Sequence, residues 1–275
     1  MTKEKIIADM HTHSQFSPDA KSTLEGMCKA QIERGTKIFA VTDHCNGCLF
    51  GEFDIFEPII KSYAEVQRVK NKYKNECLIL AGIEIDEGNW IGEEYGKICN
   101  ALDYDVIIGS VHAVKFENDK TPYSMIDFSK FSNEQLQCFM DLYFSDMLDL
   151  INKTEFDILA HLTCPLRYIN GKYKREYDIR VHTEKIEEIL KAIISRGIAL
   201  EINTSSYETI GDFMPDEKII KKYFDLGGRL VTIGSDAHVE QNASMYFDQA
   251  ITLLREIGFE NICYFKERKI NYIKI

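Results

Sequence analysis

Asp9-Met10-His11-Thr12-His13 closes an apolar run, Ile6-Ile7-Ala8, near the start of the 275-residue chain. The run reads as a short buried strand. Two histidines at i and i+2 on extended backbone point to one side, because side chains alternate with a period of two. A pair placed this way can reach a single metal ion. Six further apolar runs, at 38–42, 78–84, 106–111, 158–161, 199–203 and 230–235, end in similar polar residues.

These runs alternate with helical stretches, which argues for parallel strands joined by right-handed crossovers. They are short, continuous and rich in Ile, Val and Leu, as strands buried on both faces should be. Helix punctuation agrees. Ser22-Thr23-Leu24-Glu25 and Ser132-Asn133-Glu134-Gln135 are candidate capping boxes, and Gly35 is a candidate stop for the first helix. Ile186, Ile189, Leu190, Ile193 and Ile194 form a stripe at helical spacing that Gly197 closes. The patterns at 216–227 and 245–258 predict two more helices, and 262–265 with 270–275 predict an added terminal strand pair.

Either a closed barrel or an open doubly wound sheet fits this alternation, and the polar endings decide between them. His11 and His13, Asp43 and His44, Glu84, His112, His161, Asn203, Asp236 and His238 all stand at or just beyond the C-terminal end of a run. In a barrel those ends form one rim around one site. In an open sheet the outer strands would be too far apart to share it. The expected fold is a distorted, TIM-like barrel of seven parallel β/α units, a single domain over 1–275, with a metal site at its C-terminal rim.

Hydrophobic residues make up 45% of the chain and charged residues 28%, an ordinary globular balance. No apolar stretch approaches the length of a membrane span. Met1 to Lys5 lead straight into a strand without a signal-peptide core, so the expected location is cytoplasmic. The eight cysteines are expected as free thiols. A net charge of -11 counts against stable binding of nucleic acid. It leaves room for a small anionic substrate, since bound cations can reverse the local sign.

Six of the seven histidines lie at strand ends, and His182 is the exception. One such histidine would be read as a hydrogen-bonded core residue. Six at one rim, with Asp19, Glu84 and Asp236, point to a metal site, and His182 is expected on the solvated approach to a helix. Imidazole with carboxylate suits zinc, iron or manganese better than calcium or magnesium. Cys45-Asn46-Gly47-Cys48 has C-x-x-C spacing but no second pair, and reads mostly as loop.

The series Asp9-Met10-His11-Thr12-His13, Ser17-Pro18-Asp19, Thr42-Asp43-His44, Gly82-Ile83-Glu84, Ser110-Val111-His112, Ala160-His161-Leu162, Glu201-Ile202-Asn203-Thr204 and Gly234-Ser235-Asp236-Ala237-His238 resembles the motifs of the PHP (polymerase and histidinol phosphatase) family. Order and spacing are most similar to the stand-alone bacterial histidinol-phosphate phosphatases. The resemblance implies three divalent ions. His11, His13, Glu84 and Asp236 would hold the first. Glu84 would bridge to a second held by His112 and His161, and Asp19, His44 and His238 would hold the third. Where relatives often have an Asp two residues past the fifth-strand histidine, this chain has Thr163.

The implied activity is hydrolysis of L-histidinol phosphate in histidine biosynthesis, with a hydroxide bridging two ions as nucleophile. Arg167 is expected to clamp the phosphate, and Lys172, Lys174, Arg175 and Arg180 after it to form a solvated loop. Asp43 and Asn203 complete the expected catalytic group, Asp43 by orienting His44 or a neighbouring backbone group and Asn203 either behind the ligands or beside the substrate. The loop 115–131 could cover the substrate. Glu52, Asp54, Glu87 and Trp90 are candidates for recognising its cationic end. Two alternatives remain open: a PHP phosphoesterase acting on nucleotides or short oligonucleotides, and a metal-binding module without catalysis.

Overall fold

The computed structural model describes residues 7–51, 55–116 and 120–275. Its strands are β1 (Ile7–Asp9), β2 (Thr36–Val41), β3 (His44–Asn46), β4 (Leu78–Asp86), β5 (Val106–Ser110), β6 (Ile158–Leu159), β7 (Ala199–Asn203) and β8 (Val231–Gly234). Every apolar run singled out in the sequence supplies one of the seven barrel strands. Their order is β1-β2-β4-β5-β6-β7-β8, and each ladder between neighbours is parallel. The barrel closes between its first and last strands through three main-chain hydrogen bonds. The Met10 N–H donates to the Ile233 carbonyl (2.9 Å), Asp236 N–H to His11 (2.8 Å) and His13 N–H to Ala237 (3.0 Å).

The barrel is distorted at its second strand. β2 pairs with the first half of β4, then the chain turns at Thr42, whose N–H is drawn to the Thr12 carbonyl (2.8 Å). It re-pairs as β3, so that His44 lies beside Glu84 and Asn46 beside Asp86. This jog is what carries His44 over the mouth of the barrel.

Among the described residues, eight α-helices surround the strands: α1 (Leu24–Glu33), α2 (Phe56–Tyr73), α3 (Glu93–Cys99), α4 (Asn133–Lys153), α5 (Thr183–Arg196), α6 (Tyr207–Ile210), α7 (Glu217–Asp225) and α8 (Phe247–Ile257). α4 opens with the expected capping box, the Ser132 and Gln135 side chains each accepting the other's backbone N–H, worth about 1 kcal/mol. α1 starts one residue later than the sequence pattern suggests. Thr23 takes the N-cap and accepts the Gly26 N–H, because Ser22 is drawn away to the Glu240 N–H. The α5 stripe buries Ile186, Ile189, Leu190 and Ile193 against the barrel wall, each contributing roughly 1.5–3 kcal/mol. No described helix is long and apolar enough to cross a membrane.

The expected terminal pair is an antiparallel hairpin, β9 (Asn261–Lys266) and β10 (Lys269–Lys274). Its turn lies under the N-terminal end of the barrel. The Glu267 N–H donates to Asp105 Oδ1 (3.0 Å), the Arg268 N–H to the Asp105 carbonyl (2.9 Å), and the Arg268 guanidinium pairs with Asp157.

Candidate metal centre

At the opposite end, the strand termini bring nine residues together as the sequence leads one to expect. His11 and His13 follow just past β1, His44 rises from β3, Glu84 from β4, His112 from just past β5, His161 from just past β6, and Asp236 and His238 from just past β8, while Asp19 leans in from the loop before α1. Within this group Glu84 is central. Its Oε2 lies 2.9 Å from His44 Nδ1, 3.3 Å from His11 Nε2 and 3.6 Å from His13 Nε2, and its Oε1 lies 3.1 Å from His161 Nε2. Asp236 Oδ1 is 3.2 Å from His13 Nε2, and Asp19 Oδ2 is 3.2 Å from His238 Nε2. His161 and Asp236 take positive φ values of 22° and 51°. Such backbone persists only where the surroundings enforce it, and here it turns both side chains inward.

Behind the imidazoles stands a layer that fixes which ring nitrogen faces the centre. Glu201 Oε1 holds His11 Nδ1 at 2.7 Å, and its Oε2 accepts the His161 N–H at 2.7 Å. Asp86 Oδ1 holds His112 Nδ1 at 3.1 Å and accepts the Ser110 hydroxyl at 2.7 Å. Ser17 Oγ holds His13 Nδ1 at 3.1 Å, and the Asp236 carbonyl holds His238 Nδ1 at 2.8 Å. In each case Nε2 is left facing the cluster. Gly234 makes the Glu201 contact possible, because a Cβ there would collide with Glu201 Oε1 and His11 Cβ.

The donor atoms fit cations and little else. His11 Nε2, His13 Nε2, His44 Nδ1, His238 Nε2, Glu84 Oε2 and Asp86 Oδ2 are buried and make no hydrogen bond among the described residues. Leaving even one buried polar atom unmet costs about 1–3 kcal/mol, so six around one centre call for a ligand. Four overlapping groups have their ligand atoms within 4.8 Å of one another: His13-His44-His238, His44-Glu84-Asp86-His112, His11-His13-Asp236 and His11-Glu84-His161. The chain thus carries metal-binding clusters of His, Asp and Glu.

The field inside the site is steep. Burial favours a protonated Glu84, but His11, His44 and His112 outweigh it and hold the carboxylate well below its ordinary range. The Asp86 carboxyl, where burial is likewise outweighed by His112 and His44, is pulled down to about 2. Burial, then the neighbouring His238 and His44, push His13 down to about 3, so its ring is neutral and free to ligate. Burial and Asp86 push Glu87 up to about 7.

Of the other residues singled out in the sequence, Asp43 and Asn203 support the ligands from behind, while Glu87, Trp90 and His182 take different places. The Asp43 carboxylate faces away from the centre and accepts from Ser14 N (2.6 Å), Ser14 Oγ (2.8 Å), Ser17 Oγ (2.8 Å) and Ser62 Oγ (2.6 Å). Asn203 donates to Glu201 Oε2 (3.1 Å) and accepts from Ser205 N and Oγ (3.0 and 2.7 Å), which ties down the layer behind His11. Glu87 braces the backbone of His112, Ala113 and Cys48 from inside the protein, and Trp90 packs under the Lys115 ammonium, so neither lines the pocket. Glu52 and Asp54 lie outside the described residues. His182 is buried instead of solvated, held between the Tyr177 hydroxyl (2.5 Å) and Asp141 (3.1 Å). Cys45 and Cys48 are free, and burial raises both thiols, Cys48 to about 12, which keeps them unreactive.

Over the cluster opens a pocket of about 250 Å³. Arg167 enters it on a wide helical turn, Arg167–Lys172, with Nη1 donating to Ser205 Oγ (2.8 Å) and lying 3.6 Å from Asp236 Oδ2. Leu49, Pro122, Met125 and Tyr168 give it apolar walls. Pro122 to Met125 come from the loop expected to cover the substrate, and Tyr123 is anchored there by its N–H on the His112 carbonyl (2.9 Å). Arg175, expected in solvent, donates to the Phe128 and Phe131 carbonyls (both 2.6 Å) and ties this loop to the segment after Arg167.

A parallel β/α barrel whose rim gathers imidazoles and carboxylates into overlapping cation sites, under a pocket holding an arginine, defines a metal-binding barrel protein built for an anionic substrate. Residues 9–205 match the family model described as the PHP domain. A “Probable histidinol-phosphatase” of Clostridium acetobutylicum is 31% identical over 97% of this chain and 100% of its own length. The histidinol-phosphatase of Lactococcus lactis is 25% identical over 96% of each chain. In the solved structures, a histidinol phosphate phosphatase from Lactococcus lactis complexed with zinc, L-histidinol and phosphate shares the fold, with a TM-score of 0.80 at 24% identity over 96% of this chain and 98% of that one. The chain belongs to the PHP domain family and is a phosphoesterase of histidinol-phosphatase-like type.

Proposed function

We propose that the protein hydrolyses L-histidinol phosphate to L-histidinol and phosphate in histidine biosynthesis in the cytoplasm, the whole chain 1–275 serving as one phosphoesterase domain. The observation that carries this reading is the set of unmet, converging ligand atoms directly beneath the pocket that Arg167 enters. Full-length similarity to relatives named histidinol-phosphatase supports the substrate.

Three divalent ions are proposed: one held by His11, His13, Glu84 and Asp236, one by Glu84, His112 and His161, and one by Asp19, His44 and His238. When bound, they would activate water and neutralise the phosphate oxygens. Glu201, Ser17, Asp86 and the Asp236 carbonyl hold the rings so that Nε2 stays turned to the centre. Asp86 also lies 3.5 Å from His44 Nδ1, which makes it a candidate additional ligand. With Asp86 and Glu201 at the site, the formal surplus of positive charge from three ions falls from three to one. Arg167 raises it to two, and so matters more for a dianionic phosphate than the nine ligands alone suggest. Tyr168 and the apolar walls exclude water around the leaving group.

The test is a panel of phosphorylated compounds assayed with the metal-reconstituted protein. Histidinol phosphate should give the highest kcat/KM. A higher value for an oligonucleotide or nucleotide would replace this reading with the alternative one.

A further inference from the structure

We infer that Ser17, braced by Asp43, is a positioning residue that fixes the protonation site of His13 and so commits His13 Nε2 to a metal ion. The inference deepens the metal-site reading above and follows from counting protons.

The Ser17 hydroxyl has one proton and two lone pairs. Its oxygen lies 2.8 Å from Asp43 Oδ1, and a carboxylate can only accept, so the hydroxyl proton is spent there. The two lone pairs then face two donors. One is the His44 backbone N–H, at 3.1 Å. The other is His13 Nδ1, at 3.1 Å, which can satisfy the contact only by carrying a proton. A neutral imidazole protonated on Nδ1 has its lone pair on Nε2, and His13 Nε2 is one of the unmet atoms facing Glu84 and Asp236. All three side chains are buried, with relative exposures of 0% for His13, 2% for Ser17 and 5% for Asp43. Water therefore does not compete to reverse the order. Three further donors from Ser14 and Ser62 hold Asp43 in place, which sets the direction of the whole chain of bonds. Asp43 thereby acts on the metal site without touching it, and the same serine ties the His44 main chain to the His13 ring.

The experiment uses full-length protein labelled with nitrogen-15 at histidine, apo and zinc-loaded. Long-range proton–nitrogen correlations, assigned to His13 through its backbone, report which ring nitrogen carries the proton. The expected result is a protonated Nδ1 in both forms and a zinc-shifted Nε2 in the loaded form. Ser17→Ala should lower zinc affinity, measured by competition with a chromophoric chelator, by about 10–100-fold. Ser17→Thr, which keeps the hydroxyl, should restore it. A His13 protonated on Nε2 in apo protein, or unchanged zinc affinity in Ser17→Ala, would overturn the inference. Should Ser17→Ala fail to fold, the measurement on the unmodified protein still decides. No substrate enters the experiment, so failure to hydrolyse histidinol phosphate would leave it intact.

Discussion

The two ends of this barrel both bury carboxylates, and they treat them in opposite ways. At the base, Asp105 and Asp157 precede β5 and β6 and meet donors from the neighbouring strands and from the terminal hairpin. Asp105 Oδ2 accepts the Ala81 N–H (2.9 Å), Asp157 Oδ2 accepts the Ile107 N–H (2.8 Å), and the hairpin turn supplies the Glu267 N–H and the Arg268 guanidinium. At the rim, Glu84 and Asp86 each keep a buried oxygen that no donor meets. The same residue type thus closes the fold at one end and holds open a demand for cations at the other. A buried carboxylate that has found its donors asks for nothing more, and one with an unmet oxygen marks a site where something else must bind.

The contrast breaks most visibly at Glu84. Glu84→Ala should lose both bound metal and activity, by more than the roughly 100-fold typical of residues one layer behind a metal. Elemental analysis beside a phosphatase assay checks this, and full metal occupancy in the variant would remove Glu84 from its bridging role. Arg167→Ala sharpens the rim further by separating charge from ligation: metal content should hold while kcat/KM falls by about 100–1000-fold. At the base the pattern inverts. Asp157→Ala should leave metal content and kcat unchanged yet lower stability by about 1–3 kcal/mol, read from urea unfolding, because the Ile107 N–H and Arg268 lose their acceptor.

The smallest effect is expected at His182, away from both ends. Burial, partly countered by Asp141, holds its ring below the ordinary value of 6.5. The unfolded chain therefore binds the proton more readily. Its contribution is complete above that ordinary value and is lost as pH falls through the folded one. The slope of the unfolding midpoint between pH 7 and 5 should be shallower in His182→Gln.

Most of the rim was legible because strands obey a period of two and histidines are rare. Every ligand-type residue but Asp19 falls at or just past the end of an apolar run, and the ends of barrel strands meet by geometry alone. Asp86 and Glu201 were missed although a signal existed. Asp86 lies two positions past Glu84, and Glu201 two before Asn203, so each shares the inward face of its strand. A charge inside an otherwise apolar run must find a partner, and here the partners are imidazoles. Ser17 and Ser205 carry no comparable signal, since a hydroxyl fits almost any loop and only the fold shows what it touches. His182 misled for a related reason. Its place at a helix start suggested solvent, whereas Tyr177 and Asp141 fold over it from segments that local pattern does not join.

The barrel's closing seam has a consequence for how the protein assembles. On one side stand His11 and His13, on the other Asp236 and His238, and the two sides are joined by the three backbone bonds between the first and last strands and by Asp9, which accepts from Ser235 N (2.9 Å) and Oγ (2.6 Å). A cation gripping both sides would act as a stitch across that join. Chelation should then loosen the seam before the rest of the wall, and hydrogen exchange at the Met10, His13 and Asp236 amides would quicken first. On this view the ions are architectural as well as reactive, and supply of metal governs how tightly the circle is drawn.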